Sequence, residues 1–238
     1  MAHKDVDSEA VYTVQEIQQV LRTARTIGTL AFTLTAWCYE FGARTAEPGQ
    51  QLLRDVDLPN NRARPTHLKG GASKAWQFLM PNCQAALPLW LAERETHISQ
   101  PTQALYLFPA RKPGKCLTCE GTGQRAKQMR DGERRFKGPR VPCHHCAATG
   151  KRWGMDRREV YAIVAPVLRA AGMPKGRQHP HVLRHSVITH MLDAGVAPKV
   201  IQERVGHRSL QTTLDYVKAT DAGRAEVMGK MNALFAKQ

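Results

Sequence analysis

The stretch from Ile27 to Phe41 is nearly all apolar, and it constrains the fold more than any other part of the chain. A helix that is apolar on every side has to be enclosed by other elements. It cannot hide in a bilayer instead, because the run from Ile27 to Cys38 is too short to span one and is interrupted by Thr29, Thr33 and Thr35. The neighbours that could enclose it are written in the same helical period. Thr13-Val14-Gln15-Glu16 is a capping box, and Val14, Ile17, Val20 and Leu21 continue one apolar face from it. Cys83 to Thr96 turns Leu87, Trp90 and Leu91 inward, and Glu159 to Met173 carries Val160, Ile163, Val164, Val167, Leu168 and Ala171 on one stripe. Short helices are expected around His181, ending at Gly195, and from Pro198 to Val205. Asp55 to Met80 reads differently, as β-like runs broken by Pro59-Asn60-Asn61 and Lys69-Gly70-Gly71, hence a small antiparallel sheet. Cys38 and Cys83 stand alone among apolar neighbours and read as core packing. The expected class is mainly α with a small antiparallel β-sheet (α+β), and 238 residues suffice to bury such a core.

From Arg111 to about Arg158 the helical pattern stops and charge takes over. The chain carries 35 Lys and Arg against 20 Asp and Glu, a formal charge of +15. Fourteen basic and four acidic residues lie in this stretch, so +10 of the excess sits here. A surplus of this size points to a polyanion, either nucleic acid or an acidic membrane surface. With no spanning run, and no signal-type apolar stretch in MAHKDVDSEA, the expectation is nucleic acid, no membrane, and a cytoplasmic, nucleoid-associated protein. A solvated basic loop is the alternative to a ribbon lying along a DNA backbone.

The same stretch holds Cys116-Leu117-Thr118-Cys119 and Cys143-His144-His145-Cys146, two C-x-x-C pairs with 23 residues between them. That is a zinc-ribbon arrangement with a slightly long separation: two residues between thiolates allow a tight turn that aims both sulfurs at one ion. Gly121, Gly123 and Gly150 supply turns that a Cβ would obstruct. A redox pair or a disulfide is the other use of such cysteines, but a reducing cytosol disfavours the disulfide and a redox motif rarely comes twice. The expected cofactor is therefore one structural Zn2+ on Cys116, Cys119, Cys143 and Cys146. At roughly 10 kcal/mol of apparent binding energy it can fold an insert with almost no core of its own. Cys119-Glu120-Gly121-Thr122-Gly123 is also similar, over these few residues, to the cysteine-rich knuckles of DnaJ-type chaperones. The chain then divides into residues 1–110, a basic four-cysteine zinc-binding insertion over 111–157, and residues 158–238.

The remaining chemistry is concentrated near the end. His181 and Arg184 sit three apart, so both leave one helical face. Arg184 offers a planar fork that matches two phosphate oxygens. His207 follows Gly206 at an expected helix end, and Ser209-Leu210-Gln211-Thr212-Thr213 opens another helix that carries Tyr216, nine residues beyond His207. These groups can hold a phosphodiester and attack it without a metal. A phenol is only about 0.1% ionised at neutral pH, so as a nucleophile it needs a strongly cationic setting.

The run HPHVLRHSVITHMLDAGVAPKVIQERVGHRSLQTTLDYVKAT resembles the catalytic heart of tyrosine recombinases, the family of phage integrases and Xer-type enzymes. That family's pattern is H-x-x-R, then G-H, then a tyrosine nine residues on. Its first clamp arginine sits in a stretch like G-L-R-x-x-E, which Gly42-Ala43-Arg44-Thr45-Ala46-Glu47 resembles, with Ala43 for the usual Leu and Pro48 after the acid. An ion pair with Glu47 is the structural use of the same arginine. The family's catalytic lysine lies on a β-turn like G-K-G-x-K; Leu68-Lys69-Gly70-Gly71-Ala72-Ser73-Lys74 is similar, with Lys69 preferred and Lys74 the fallback. Leu107-Phe108-Pro109 resembles the L-F-P before the last helices of these catalytic domains.

The resemblance implies the tyrosine recombinase catalytic fold interrupted by the insert, with residues 12 to 110 and 157 to 238 covered. It implies a catalytic set of Arg44, Lys69, His181, Arg184, His207 and Tyr216, acting on double-stranded DNA through a 3′-phosphotyrosyl link, for a mobile element. No nucleotide or metal is implied in the chemistry. Val227, Met228, Met231, Leu234 and Phe235 mark a C-terminal helix that covers its own core or, as is common in the family, docks on a neighbouring subunit in a homo-oligomer on DNA. A host recombinase or DNA-bending proteins are the further partners to consider. Arg44 comes too early for the separate DNA-clamping domain that usually precedes the catalytic one. Two rival readings remain: a type IB topoisomerase-like enzyme, and an accessory factor that activates a host Xer-type recombinase by contact.

Overall fold

The computed structural model describes residues 11–68, 75–116, 118–131, 134–143 and 146–216. Its centre is α2 (Thr29–Glu40), buried from Ala31 to Glu40. Around it pack α1 (Val14–Ile27), α3 (Pro81–Arg94), α4 (Arg157–Ala170) and α5 (Pro180–Asp193). Ile27 closes α1 instead of opening α2, because Gly28 separates the two helices. The capping box of α1 is formed: Thr13 Oγ1 accepts from Glu16 N at 3.1 Å, and Glu16 Oε2 accepts from Thr13 N at 2.7 Å. Polar groups inside the core are partnered locally. Thr33 Oγ1 donates to Thr29 O at 2.8 Å, and the buried Glu40 carboxylate caps the start of α3, taking Asn82 N and Cys83 N at 2.9 Å each. Cys38 and Cys83 are fully buried, and burial pushes the Cys38 thiol up to about 12.

The expected small sheet is present. β1 (Val56–Asp57), β2 (Arg62–Ala63) and β3 (Gln77–Phe78) pair antiparallel, with Val56 opposite Ala63 and Arg62 opposite Phe78. β3 leans on α6 (Pro198–Val205): Gln77 Nε2 donates to Arg204 O at 3.3 Å. Leu107 and Phe108 are buried under α3, where Trp90 Nε1 donates to Leu107 O at 2.9 Å.

The chain then leaves the core as a ribbon. β4 (Pro109–Lys115) pairs antiparallel with β7 (Lys151–Gly154), and between them β5 (Gln124–Asp131) pairs with β6 (Arg134–Pro142) as a second hairpin. Another capping box, Asp156 with Glu159, restarts the helical part at α4. The one-turn helix α7 (Gln211–Leu214) leads to Tyr216. The fold is thus mainly helical with small antiparallel sheets, as the sequence indicates. Among the described residues, no helix is long and apolar enough to cross a membrane. The C-terminal segment from Val227 to Phe235 lies outside the described residues.

Candidate active site and metal centre

Three chain segments meet at Arg184. It leaves the buried side of α5, and its Nη1 donates to Val205 O, at the end of α6, at 2.8 Å, and to Gly42 O, just past α2. Gly42 sits at φ +56, and a Cβ there would lie 2.8 Å from the Val205 side chain, so only glycine lets the α2 end approach α6 this closely. Nη2 of Arg184 is buried and has no hydrogen-bond partner. Burial, then the nearby Arg44, lower the Arg184 guanidinium to about 10.

Arg44 is fixed from two sides. Nη1 pairs with Glu47 Oε1 at 2.9 Å, and Nη2 donates to Gly206 O at 3.3 Å. The ion pair with Glu47 is thus present, and the same guanidinium stands close enough to Arg184 to act on it electrostatically. Glu47 is buried and acts as a hub, also taking Arg44 N at 2.8 Å and Leu68 N at 3.2 Å, with His67 Nδ1 3.8 Å away. Burial pushes the Glu47 carboxyl up, but its interaction with His67 and the hydrogen bonds from Arg44 more than offset this and hold it low. The His67 ring occupies the space a Cβ on Gly206 would need.

His207 is buried, and its Nδ1 lies 2.8 Å from Thr213 Oγ1, so the α7 turn orients the ring. Its ring stacks against Tyr216, with centroids 6.2 Å apart. The Tyr216 hydroxyl lies 2.6 Å from His185 Nδ1, and His185 in turn meets His181 edge-on at 4.6 Å. His181 itself is exposed on α5. Burial, then the cationic arginines and neighbouring imidazoles, lower His207 to about 3 and His185 to about 4, and His181 shifts the same way. All three rings are thus neutral near pH 7 and able to donate or accept. Burial raises the Tyr216 phenol, with Arg184 and Arg44 pulling against it. The structure thus gathers Arg44, Arg184, His207 and Tyr216, with His181 joined through His185. Lys69 and Lys74 lie outside the described residues.

Sequence reasoning missed His185, Glu47 as a hub, His67 and Thr213. His185 was findable, standing four residues after His181 on the same helical face. Nothing local marks His67, whose contacts are with Glu47 and Gly206, while Thr213 lies six residues from His207 and showed only as part of a helix start.

The four cysteines of the ribbon form a separate centre. Sγ of Cys116, Cys119, Cys143 and Cys146 all lie within 4.8 Å of one another and are buried. The cross-pairs are 3.9 Å for Cys116 to Cys143 and 3.7 Å for Cys119 to Cys146, far beyond a disulfide bond length of about 2.05 Å. Four thiolates at about 2.3 Å from a tetrahedral ion would stand roughly 3.8 Å apart, so this set could hold a metal. The two knuckles repeat each other. Cys116 N donates to Gly150 O at 2.9 Å while Cys143 N donates to Gly123 O at 2.8 Å, and Thr122 and Thr149 hydroxyls close matching turns onto Cys119 O and Cys146 O.

The model of the phage integrase family matches residues 10–222. A tyrosine recombinase XerC of Bifidobacterium longum (strain DJO10A) is 31% identical over 178 residues, 75% of this chain and 40% of the relative. A putative integrase/recombinase y4gC of Sinorhizobium fredii (strain NBRC 101917 / NGR234) is 44% identical over 69 residues, 28% of this chain and 36% of the relative. The crystal structure of XerA recombinase superposes with a TM-score of 0.63 at 20% identity, covering 97% of this chain and 64% of that one. The Tn1549 transposon integrase, solved in complex with circular intermediate DNA, superposes at 0.64 and 14% identity, covering 97% and 69%. The chain belongs to the phage integrase family. It spans about 40% of the length of the XerC relatives it matches.

Proposed function

We propose that this chain is the catalytic part of a site-specific DNA recombinase that cuts and rejoins double-stranded DNA for a mobile element. The observation that carries this is the buried, unpartnered Nη2 of Arg184, set beside a second guanidinium and within one cluster with a phenol. A buried cation with a free donor and a like charge nearby is stabilised by an anion, and a phosphodiester supplies two oxygens for the two forks. Arg44 and Arg184 clamp the non-bridging oxygens and stabilise the charge of the pentacoordinate state. His181 and His207 hydrogen-bond the same phosphate. The Tyr216 oxygen attacks phosphorus, forming the 3′-phosphotyrosyl bond as the bond to the 5′-oxygen breaks. Lys69, or Lys74 in its place, protonates that leaving 5′-oxygen. The phenolic proton passes to a neighbouring imidazole, and the reverse sequence reseals a new strand.

In this reading residues 111–157 form a separate insertion folded around one structural Zn2+ on Cys116, Cys119, Cys143 and Cys146, outside the strand chemistry. Self-assembly on DNA follows from the need to pair two cut duplexes. The deciding experiment is covalent trapping on a nicked suicide duplex. Wild type should leave a protein–DNA adduct, and Tyr216→Phe should bind the same duplex without forming one. An adduct that survives Tyr216→Phe would remove Tyr216 as nucleophile.

A further inference from the structure

The β5–β6 hairpin exposes an apolar pair that nothing in the described structure covers. Met129 and Phe136 are directly opposed across the two strands, which puts both side chains on one face of the ribbon. They are 37% and 45% exposed, and neither joins the main core or the cysteine cluster. A Cβ on Gly138 would collide with the Met129 sulfur, so the thioether lies across that glycine beside the Phe136 position. Lys127, Lys137 and Arg140 are exposed on the same two strands. Over residues 124–142 seven basic residues face two acidic ones, a net +5. That charge decides the occupant: a surface this basic is complementary to a polyanion, and an apolar pair inside it needs a polyanion with an apolar interior. Stacked base pairs between two phosphate backbones are such a partner.

We propose that the β5–β6 hairpin is a DNA-bending arm, whose basic residues follow the backbone while Met129 and Phe136 wedge between base steps from the minor groove. This rests on the reading of the chain as a DNA-acting protein. Apolar side chains of this kind partly unstack a step and kink the duplex by about 20–90°. The pair has no hydrogen-bonding group with which to read base edges, so its sequence preference is for steps that unstack easily, pyrimidine followed by purine. A strand of eight residues reaches about 25 Å from the cysteine knuckle, enough to follow a groove away from the cleavage site.

The test uses the full chain and a duplex of about 40 base pairs, roughly four helical turns, with a central TpA step and a fluorophore at each end. Wild type should raise energy transfer between the ends. The double variant Met129→Ser, Phe136→Ser should bind with affinity within about threefold, since phosphate contacts dominate binding, yet leave transfer at the level of free DNA. As both positions are exposed, metal content and helical circular dichroism should be unchanged. Phe136→Trp gives a second readout that keeps the wedge, as its emission should be quenched on adding the duplex. Binding without bending by wild type, unchanged bending in the double variant, or an unquenched Phe136→Trp would each overturn the proposal and leave a protein as the occupant of this surface. Adduct formation through Tyr216 without bending would sink the arm alone, whereas failure to bind or trap any duplex would sink the recombinase reading with it.

Discussion

Arg184 shows how a single side chain can link structure and reaction. One terminal nitrogen is committed to the Gly42 and Val205 carbonyls and the other terminal nitrogen has no partner. Arg184→Lys keeps the charge but loses the fork. We expect the single-turnover cleavage rate to fall by about 100–1,000-fold, the usual cost of removing one aimed donor to developing charge, with duplex binding in gel shift much less affected. Thr213→Val is a subtler change at a fully buried position. It keeps the shape and leaves His207 Nδ1 without its partner at 2.8 Å. The expected outcome is a cleavage defect larger than any loss of affinity, because an unpaired ring is free to turn away from the phosphate. The histidines also set a pH dependence of stability. His207 and His185 have folded pKa values of about 3 and about 4, below the unfolded value near 6.5. Above pH 6.5 both states hold the rings neutral and stability is fully present; as pH falls from 6.5 towards 3 the unfolded chain takes up protons first, so stability declines. Denaturation midpoints measured across this range should drop steeply for wild type and less for His207→Asn. At this scale Arg184, His207 and Tyr216 were legible because the spacing lies within one short run. Glu47 showed only as a motif acid, since its function depends on Leu68 and His67 arriving from another segment.

At the scale of elements, helices were easier to read than strands. α4 and α6 follow their apolar stripes and caps, and the break at Gly28 moved the start of α2 by two residues, from Ile27 to Thr29. The strands of the insert left no such pattern. β4 and β7 carry five Lys or Arg among their eleven residues and show no alternation of apolar and polar residues. Their register and that of β5–β6 converge instead on the two knuckles, where four cysteines are the whole of the buried cluster. It follows that a metal there should hold the insert and not the helical body. Stripping the metal with a strong chelator should release one Zn2+ per chain and raise amide exchange in β5, β6 and β7, while α1 to α5 stay protected. Loss of exchange protection throughout the chain would show that the two parts fold as one unit.

The whole molecule joins residues that the sequence keeps far apart: Gly42 and Arg184, Tyr12 and Ser186, Glu40 and Cys83. The buried α2 made it certain that something must surround it, yet not which helix ends would converge, and the site is built from those ends. Charge is the one global property that was fully legible, and it leads to a quantitative expectation. If both the clamp region and the insert lie on DNA, the logarithm of affinity falls linearly with the logarithm of salt, by about 0.9 for each phosphate neutralised. Replacing Lys127, Lys137 and Arg140 with Gln removes three exposed cations from the hairpin without touching the cysteines or the arginine cluster. The slope should then become shallower by up to about 2.7, with Tyr216 adduct chemistry retained at low salt. An unchanged slope would place the hairpin off the DNA, so the +10 between Arg111 and Arg158 would then serve some other acidic surface.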